Sequence, residues 1–259
     1  GHAEVNAVAS VATEDKPLLG DSTMYVTLEP CSHYGKTPPC AELIIRTGIP
    51  RVVVATVDPN PKVAGRGIRM LREAGVEVET GILGQEARNL NRRFFTSQLS
   101  GRPWITLKWA CSADGYMDRE RTASHPSAYR FSNPVTGMMT MRLRSLHDAV
   151  MTTTATVEMD DCRLTVRGWY GRQPLRLVLD LRHRADMNRN VFQEVAIEPG
   201  SVAAGTQEAD IRGTGKGIPL VDGDWDDLGK LFKGLYNTLG VSSLLVEAGP
   251  RLLRRLIDD

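Results

Sequence analysis

The pattern of apolar and polar positions divides the chain into alternating helices and strands. Apolar side chains recur at helical spacing from His2 to Ala12, and runs rich in strand formers follow at Thr23–Glu29 and Arg51–Val57. A helix is predicted between Pro39 and Gly48, because proline favours a helix start and glycine a helix end. The same criteria predict a helix over 67–74, a strand over 76–81 and a helix over 86–98. This alternation favours a parallel sheet covered by helices.

A break at Ser100–Pro103 separates this series from a second one. Strands are predicted over 104–112, 148–152, 174–180 and 243–247, and helices over 133–144, over 225–239 and after residue 250. Residues 183–222 lack a clear pattern. The Gly213–Gly217 run within them has no Ser or Thr after Lys216, so it is interpreted as a flexible loop and not as a phosphate-binding loop. We therefore expect two α/β domains, residues 1–99 and 100–259.

Charge and cysteine content narrow the class of protein. The chain has 32 Lys and Arg against 31 Asp and Glu, which gives no bulk positive charge for nucleic acid or anionic membranes. No apolar run approaches the roughly 18 residues of a spanning helix. Four cysteines in 259 residues do not form a disulfide framework, so we expect a reducing, cytoplasmic location.

The candidate chemistry lies in two short segments, His2-Ala-Glu4 and Glu29-Pro-Cys31 through Cys40. His2, Cys31 and Cys40 supply the three protein ligands of a catalytic zinc site, which leaves its fourth position to water. Glu4 is placed to move protons, as in the zinc deaminases. Cys40 begins a helix, whose dipole favours a thiolate. Packed thiols, a structural zinc pair and an incidental His2 remain alternatives.

The run from Glu29 to Cys40, followed by Asp58-Pro-Asn-Pro-Lys-Val-Ala-Gly-Arg-Gly67, resembles the bifunctional riboflavin-biosynthesis enzymes. In these enzymes a diaminohydroxyphosphoribosylaminopyrimidine deaminase is fused to a 5-amino-6-(5-phosphoribosylamino)uracil reductase. The resemblance implies a cytidine-deaminase-like αβα domain followed by a dihydrofolate-reductase-like α/β domain. It also implies that His2, Cys31 and Cys40 bind zinc and that Glu4 shuttles protons. Substrate contacts implied in this half are His33, Lys36, Asp58 and Asn60. The 58–61 run is equally typical of a plain turn.

In the second half, Thr154 to Arg167 resembles the reductase stretch T-V-x-x-D-x-P-x-L-T-V-R, with Cys162 in place of the proline. The resemblance implies a catalytic Asp160 beside the site of hydride transfer; without it, Asp160-Asp161 is also typical of a solvated turn. Implied substrate contacts are Arg144, Leu164, Arg167 and Glu247. Implied NADPH contacts are Ala110, Thr156, Asp160, Ala248, Gly249, Pro250 and Arg251, and Lys108 is a candidate to line the same site.

The chain departs from the family pattern in one loop and at both ends. Pro126–Phe131 stands where the family has Gly-Glu-Ser-Gln-Trp-Ile, within an aperiodic loop over 118–134. The family has further strands before the His-x-Glu helix and after the last helix. We therefore expect both domains to lack terminal strands here.

The sequence thus predicts an enzyme with Zn²⁺ and NADPH as cofactors. It would deaminate a phosphoribosylaminopyrimidine and then reduce the ribosyl chain to ribityl. We expect a small phosphorylated pyrimidine as substrate, a homo-oligomer, and no nucleic-acid or membrane partner. Two alternatives remain open: a nucleoside or RNA-base deaminase with an unrelated second domain, and a zinc-stabilised binding module without activity.

Overall fold

The computed structural model describes residues 1–34, 38–60, 63–180, 184–193, 212–213, 219–221 and 227–258. The chain divides into two compact units, Gly1–Ser100 and Gly101–Asp259. Within the described ranges, no helix has both the length and the apolar character needed to cross a bilayer.

The first unit is built on a small parallel sheet. Its elements are α1 (Ala3–Ser10), β1 (Thr23–Val26), α2 (Cys40–Thr47), β2 (Arg51–Val54), α3 (Arg66–Glu73), β3 (Glu77–Thr80), α4 (Gly84–Leu90) and α5 (Arg92–Ser100). A 3₁₀ helix over Thr13–Asp21 joins α1 to β1. The strands pair in the order β1-β2-β3, all parallel, which confirms the predicted arrangement.

The core of this unit lies around the central strand β2. Val52 and Val54 are fully buried and cluster with Ile44 of α2 and Leu71 of α3. Helix α2 begins after Pro39 and ends at Gly48, whose φ of 74° is the left-handed value that glycine adopts without strain. Because β1 and β2 are parallel, the segments that leave their carboxyl ends start from the same edge of the sheet.

The second unit contains a larger sheet. Its elements are β4 (Trp104–Leu107), α6 (Pro134–Ser145), β5 (Ala149–Thr153), α7 (Thr154–Asp160), β6 (Leu175–Leu179), β7 (Arg212–Gly213), β8 (Pro219–Val221), α8 (Leu228–Leu239), β9 (Ser243–Val246) and α9 (Pro250–Asp258). The strand order is β4-β9-β5-β6-β8-β7. Neighbouring strands are parallel except β7 and β8, which are antiparallel.

The central strands of this sheet are buried on both faces. Met151 of β5 packs with Leu231 of α8 and Leu252 of α9, whereas the neighbouring Val150 packs on the opposite side with Val157 of α7 and Phe192. Such strands read as continuous apolar runs because alternate side chains enter two different cores. The carboxyl ends of β5, β6 and β9 therefore meet at one edge of a covered sheet, where ligands of open α/β folds bind.

Several element boundaries differ from the prediction. The helix predicted over 86–98 is two helices, because Asn91 leaves helical geometry and its side chain donates to the carbonyl of Ala87 at 3.0 Å. The strands predicted to reach Glu29, Val57 and Ser112 end earlier, at Val26, Val54 and Leu107. In the first unit the strands end in register, and the residues beyond them form loops. Helix α7 was not predicted.

The aperiodic loop over 118–134 is irregular, apart from a single bridge between Thr122 and His125 and the start of α6 at Pro134. The Gly213–Gly217 run falls mostly outside the described residues, and only Gly213 is placed, in β7.

Candidate active sites

Three metal-ligating side chains converge in the first unit, in what we call the His-Cys-Cys cluster (His2, Cys31 and Cys40). The Nδ1 atom of His2 lies 3.5 Å from the Sγ of Cys31 and 3.3 Å from the Sγ of Cys40. All three ligand atoms lie within 4.8 Å of one another. His2 precedes the first turn of α1, Cys31 follows β1, and Cys40 is the first residue of α2. The fold therefore assembles the three residues that the sequence predicted.

The cluster has the dimensions of a zinc site. Tetrahedral zinc with Zn–S of about 2.3 Å and Zn–N of about 2.0 Å places nitrogen and sulfur ligands roughly 3.5 Å apart. The two nitrogen–sulfur distances match that value. The backbone N–H of Cys40 also donates to the Sγ of Cys31 at 3.2 Å, which suits a thiolate. Among the residues that the structure describes, three ligands converge and leave one position open, which is the catalytic and not the structural arrangement.

Glu4 lies against this cluster. Burial is the largest cause that raises the pKa of the Cys40 thiol, and the charge and hydrogen bond of Glu4 add to it. The carboxylate of Glu4 is therefore in contact with the cluster while remaining half-exposed. The start of α2 at Cys40 confirms the predicted position of this thiol at a helix N-terminus. A bound cation is what holds such a sulfur as thiolate.

The predicted substrate residues of this unit lie on two loops. His33 is exposed two residues after Cys31, and Asp58 and Asn60 are half-buried beyond β2. Burial is the main cause that raises the pKa of Asp58; the charge of Glu29 raises it further, whereas Asn60 and His33 lower it. His33 and Asp58 are therefore electrostatic neighbours. Lys36 lies outside the described residues.

In the second unit, a cleft of about 880 Å³ opens at the carboxyl ends of the central strands. We call it the strand-end cleft. Its lining residues are Thr153, Thr154, Ala155, Thr156, Met159, Leu179, Asp180, Arg184, Gly249, Pro250, Arg251, Leu252, Arg254, Arg255 and Asp258. Four of the predicted cofactor residues are among them: Thr156, Gly249, Pro250 and Arg251. Ala110, Ala248 and Asp160 do not line it; Ala248 is 8% exposed and packs in the core.

The strand-end cleft is basic. Four arginines line it against two aspartates. One of these aspartates, Asp180, is 3% exposed and accepts hydrogen bonds from the Thr154 hydroxyl and the N–H groups of Arg184 and Ala185. The Asp180 carboxylate thus holds the end of β6 in place through these hydrogen bonds. The four arginines outnumber the two aspartates, and their positive charge suits the phosphates of a dinucleotide. The residues present therefore fit NADPH.

Arg144 and Glu247 form a buried pair. The Nε and Nη2 atoms of Arg144 donate to the two carboxylate oxygens of Glu247 at 2.6 and 2.9 Å, and Nη1 donates to the Thr165 carbonyl at 2.9 Å. The side chains are 9% and 11% exposed. Lys108 lies 3.9 Å from the same carboxylate. The two residues predicted to contact substrate are thus brought together, with each guanidinium nitrogen of Arg144 already donating once.

Asp160 is paired with an arginine of the 118–134 loop. The Nη2 atom of Arg121 lies 2.6 Å from a carboxylate oxygen of Asp160, and its Nε atom lies 2.7 Å from Asp118. Nη1 donates to the carbonyl of Met159 at 3.0 Å. Arg121 therefore fastens the loop to the end of α7. This contact has no sequence signal, because the 118–134 loop has no periodicity.

The remaining predicted residues follow α7. Leu164 has a positive φ of 54° and is 2% exposed within the core, so its side chain offers no surface to a ligand. Arg167 is exposed, and its Nη1 donates to the Thr165 hydroxyl at 2.7 Å. Burial raises the pKa of the Cys162 thiol to about 11, and the charge of Asp160 adds to this. The cysteine that replaces the family's proline is thus a protonated neighbour of Asp160.

The comparisons with known proteins match each unit to a described domain. Residues 1–56 match the cytidine and deoxycytidylate deaminase zinc-binding region. Residues 103–259 match the RibD C-terminal domain.

Relatives and solved structures of the same two-domain enzymes match this chain across both domains. The riboflavin biosynthesis protein RibD of Aquifex aeolicus (strain VF5) is 38% identical over 259 residues, which cover 100% of this chain and 70% of that protein. RibD of Escherichia coli (strain K12) is 36% identical, with 99% and 71% covered. The structure of Acinetobacter baumannii RibD, form 1, superposes with a TM-score of 0.82 at 32% identity, covering 100% of this chain and 70% of that one. A Thermotoga maritima diaminohydroxyphosphoribosylaminopyrimidine deaminase/5-amino-6-(5-phosphoribosylamino)uracil reductase gives 0.81 at 31% identity, with the same coverage.

Proposed function

The chain belongs to the RibD family of bifunctional deaminase/reductase enzymes of riboflavin biosynthesis, and on that premise we propose which of its residues carry each reaction. The first unit is a zinc-dependent deaminase and the second an NADPH-dependent reductase. The substrate that we propose is a diaminohydroxyphosphoribosylaminopyrimidine, and its deaminated product is the substrate of the second reaction. We propose domain limits of 1–99 and 100–259, so that each domain carries one of the two reactions.

In the first reaction, His2, Cys31 and Cys40 hold the zinc ion, which supplies the activation of a water molecule. Glu4 is the proton carrier. Its carboxylate lies against the cluster without being one of the three ligands, and it remains half-exposed. It accepts a proton from the attacking water and returns it to the amino group that leaves as ammonia.

The substrate phosphate of the first reaction is bound by the loops around the cluster. His33 and Lys36 follow Cys31, within the eight residues that separate the two cysteines. Asp58 and Asn60 reach the same region from the loop after β2, since the charge of His33 acts on Asp58. Cationic side chains on a long loop suit a phosphorylated small molecule and not a bare nucleobase.

In the second reaction, the strand-end cleft holds NADPH, which supplies the hydride. Thr156, Gly249, Pro250 and Arg251 line it from two elements that follow parallel strands. Ala110 and Ala248 are proposed contacts outside the cleft lining. The arginines of the cleft favour the phosphates of the cofactor.

Asp160 acts beside the cleft. Its neighbour Met159 lines the cleft, and Asp160 is fixed by Arg121 at 2.6 Å. We assign it the orientation of the ribosylamine nitrogen during hydride addition at the sugar carbon. The substrate site is completed by the Arg144–Glu247 pair, by Arg167 and by the backbone of Leu164. The Arg144–Glu247 pair is the fixed part of that site because both side chains are buried.

The observation that carries the proposal is the convergence of His2, Cys31 and Cys40 with Glu4 beside them. Residues 38 positions apart meet within 4.8 Å in a ligand set with an open position. A structural zinc site would close that position with a fourth protein ligand.

We also propose that the enzyme works in the cytoplasm as a homo-oligomer and without a nucleic-acid or membrane partner. Its charge is balanced, with 32 basic against 31 acidic residues. Its four cysteines are free thiols. On α6, Val135, Met138 and Met139 are exposed at helical spacing, which favours an interface between copies. Light scattering of the purified protein tests the oligomer.

The test of the proposed function combines metal analysis with two activity assays. We expect bound zinc, ammonia release from the diaminopyrimidine, and NADPH oxidation with the deaminated product. Ammonia release from cytidine or RNA, without NADPH oxidation, would favour an unrelated deaminase. Zinc without either activity would favour an inert binding module.

A further inference from the structure

One buried carboxylate of the first unit has no part in the proposed chemistry. Glu29 is 4% exposed, two residues before the zinc ligand Cys31. Its two oxygens accept hydrogen bonds from four backbone N–H groups. These belong to Asp58 at 3.2 Å, Gly65 at 2.9 Å, Gly67 at 2.8 Å and Ile68 at 3.2 Å. A buried carboxylate is stable only when it is satisfied in this way.

Glu29 replaces the missing local cap of α3. The N-cap residue is Gly65, which has no side chain to accept from the first turn. The N–H of Arg66 donates to the Val63 carbonyl at 2.8 Å, but those of Gly67 and Ile68 would be unsatisfied without another acceptor, because helix N-termini lack partners of their own. Glu29 accepts from Gly67 and Ile68 in their place, from 38 and 39 residues earlier in the chain. Its negative charge also complements the helix dipole.

The same side chain closes the loop that leads into α3. A single oxygen, Oε2, accepts from both Asp58 and Gly65. Between them, Asp58 accepts from the N–H of Asn60 at 2.8 Å. Glu29 therefore holds the backbone of Asp58 directly and that of Asn60 through the Asp58 side chain. The backbone N–H of Glu29 in turn donates to the Thr56 carbonyl at 2.9 Å.

Gly67 shows how tightly this arrangement lies against the cluster. A Cβ atom added at Gly67 would be 1.9 Å from the carbonyl oxygen of Pro30. Any other residue there would push α3 away from the segment that carries Cys31. The first turn of α3 and the zinc-ligand segment are thus in direct backbone contact.

We propose that Glu29 is a positioning residue for the first reaction. It fixes Asp58 and Asn60 relative to Cys31 and so sets the affinity of the deaminase site for its substrate. This inference rests on the proposed function, because Asp58 and Asn60 are substrate contacts only there. Glu29 neither binds the zinc ion nor touches the substrate.

The kinetic test is the substitution Glu29→Gln, which keeps the shape but loses the charge and one acceptor oxygen. We expect the KM for the diaminopyrimidine to rise about tenfold with kcat within about threefold, since ground-state positioning is lost. Zinc content and NADPH oxidation with the deaminated product stay at the wild-type level. The matched control is Glu79→Gln, an exposed carboxylate of the same unit that pairs with Arg51. It leaves all these quantities unchanged.

An unchanged KM in Glu29→Gln would overturn the proposal. So would a loss of zinc together with kcat, because that pattern belongs to a residue that supports the metal site or the fold. If Glu29 served only the fold, Glu29→Gln would slow the first reaction without changing KM separately from kcat.

A second measurement does not depend on activity, and its wild-type arm does not need the variant. Amide hydrogen exchange of the wild-type protein should show slow exchange at Asp58, Gly65, Gly67 and Ile68. Exchange at these sites should become about tenfold or more faster in Glu29→Gln, because their acceptor is weakened. Rapid exchange at all four amides of the wild type would contradict the proposal even if Glu29→Gln did not fold. If the wild type released no ammonia while these amides were protected, the proposed function would fail and the capping role would stand.

Discussion

The guanidinium of Arg121 lies 2.6 Å from the carboxylate of Asp160, although 39 residues separate them along the chain. Arg121 also contacts Asp118 and the Met159 carbonyl, and its side chain is 18% exposed. An aperiodic loop is thereby fastened to the last turn of α7. The orientation of the proposed catalytic carboxylate depends on this contact.

Substitution of Arg121 should therefore impair the second reaction alone. We expect Arg121→Ala to lower the kcat of NADPH oxidation about tenfold, since misplacement of a catalytic group is costly. Ammonia release by the first unit should not change. Arg119→Ala is the matched control, because Arg119 is an exposed residue of the same loop that contacts Tyr129. Equal losses in both variants would show that the loop, and not the contact with Asp160, matters.

Substitution of one member of the buried Arg144–Glu247 pair should strongly lower the free energy of unfolding of the second unit. We expect Glu247→Leu to destabilise this unit by about 3 kcal/mol, because it leaves an uncompensated buried charge. The double variant Arg144→Met with Glu247→Leu should recover most of this loss. All four tryptophans lie in this unit, so fluorescence during denaturant unfolding reports on it selectively. A double variant less stable than Glu247→Leu would contradict the pair's role.

Zinc removal should act on the first unit. We expect Cys40→Ser to lose bound zinc and ammonia release, since the remaining two ligands do not hold a catalytic zinc ion. NADPH oxidation and the tryptophan-monitored unfolding should stay close to the wild type. Cys111→Ser serves as control, because Cys111 is an exposed free thiol of the second unit. Zinc retained at the wild-type level in Cys40→Ser would refute this ligand set.

Asp148 should make the second unit sensitive to acid. Burial acts to raise the pKa of Asp148, but hydrogen bonds from Ser242, Arg172 and Ser243 outweigh it, so the pKa is lowered. A lowered folded pKa stabilises the protein above the unfolded pKa of about 3.9, and this contribution is lost as the pH falls through the folded value.

Asp148→Asn should therefore reduce stability at pH 7 more than at about pH 3, where the wild type has lost part of this contribution. Denaturant unfolding followed by tryptophan fluorescence at the two pH values measures this difference. Glu120→Gln, an exposed carboxylate of the same unit, is the control. An equal stability loss at both pH values would contradict the assignment.

The sequence was sufficient for the metal cluster and for the parallel sheets. His2 and Cys40 lie at the starts of helices that the periodicity predicts, and Cys31 lies in the loop after the first strand, so their meeting agrees with the order of those elements. Helix α7 is not predictable from periodicity, because its seven residues span only about two turns. The 86–98 helix was predicted without its break, since nothing in the pattern shows that Asn91 bonds back to Ala87.

The contacts that Arg121 and Glu29 make with distant parts of the chain are not predictable from the sequence, and for the same reason. The Arg121 side chain contacts the Asp160 carboxylate and the Met159 carbonyl, and the Glu29 side chain accepts from backbone N–H groups of α3, each about 40 residues away along the chain. The periodicity of the sequence does not predict such contacts, because a side chain that satisfies backbone N–H groups leaves the spacing of apolar residues unchanged.

The most direct test of the two-reaction account is Glu4→Gln, assayed for zinc and for both reactions in one preparation. We expect ammonia release from the diaminopyrimidine to fall by about 10²–10⁴, because the proton carrier is lost. Zinc content and NADPH oxidation with the deaminated product should equal those of the wild type. Ammonia release at the wild-type rate, with zinc still bound, would contradict the assignment of Glu4 and of the first site.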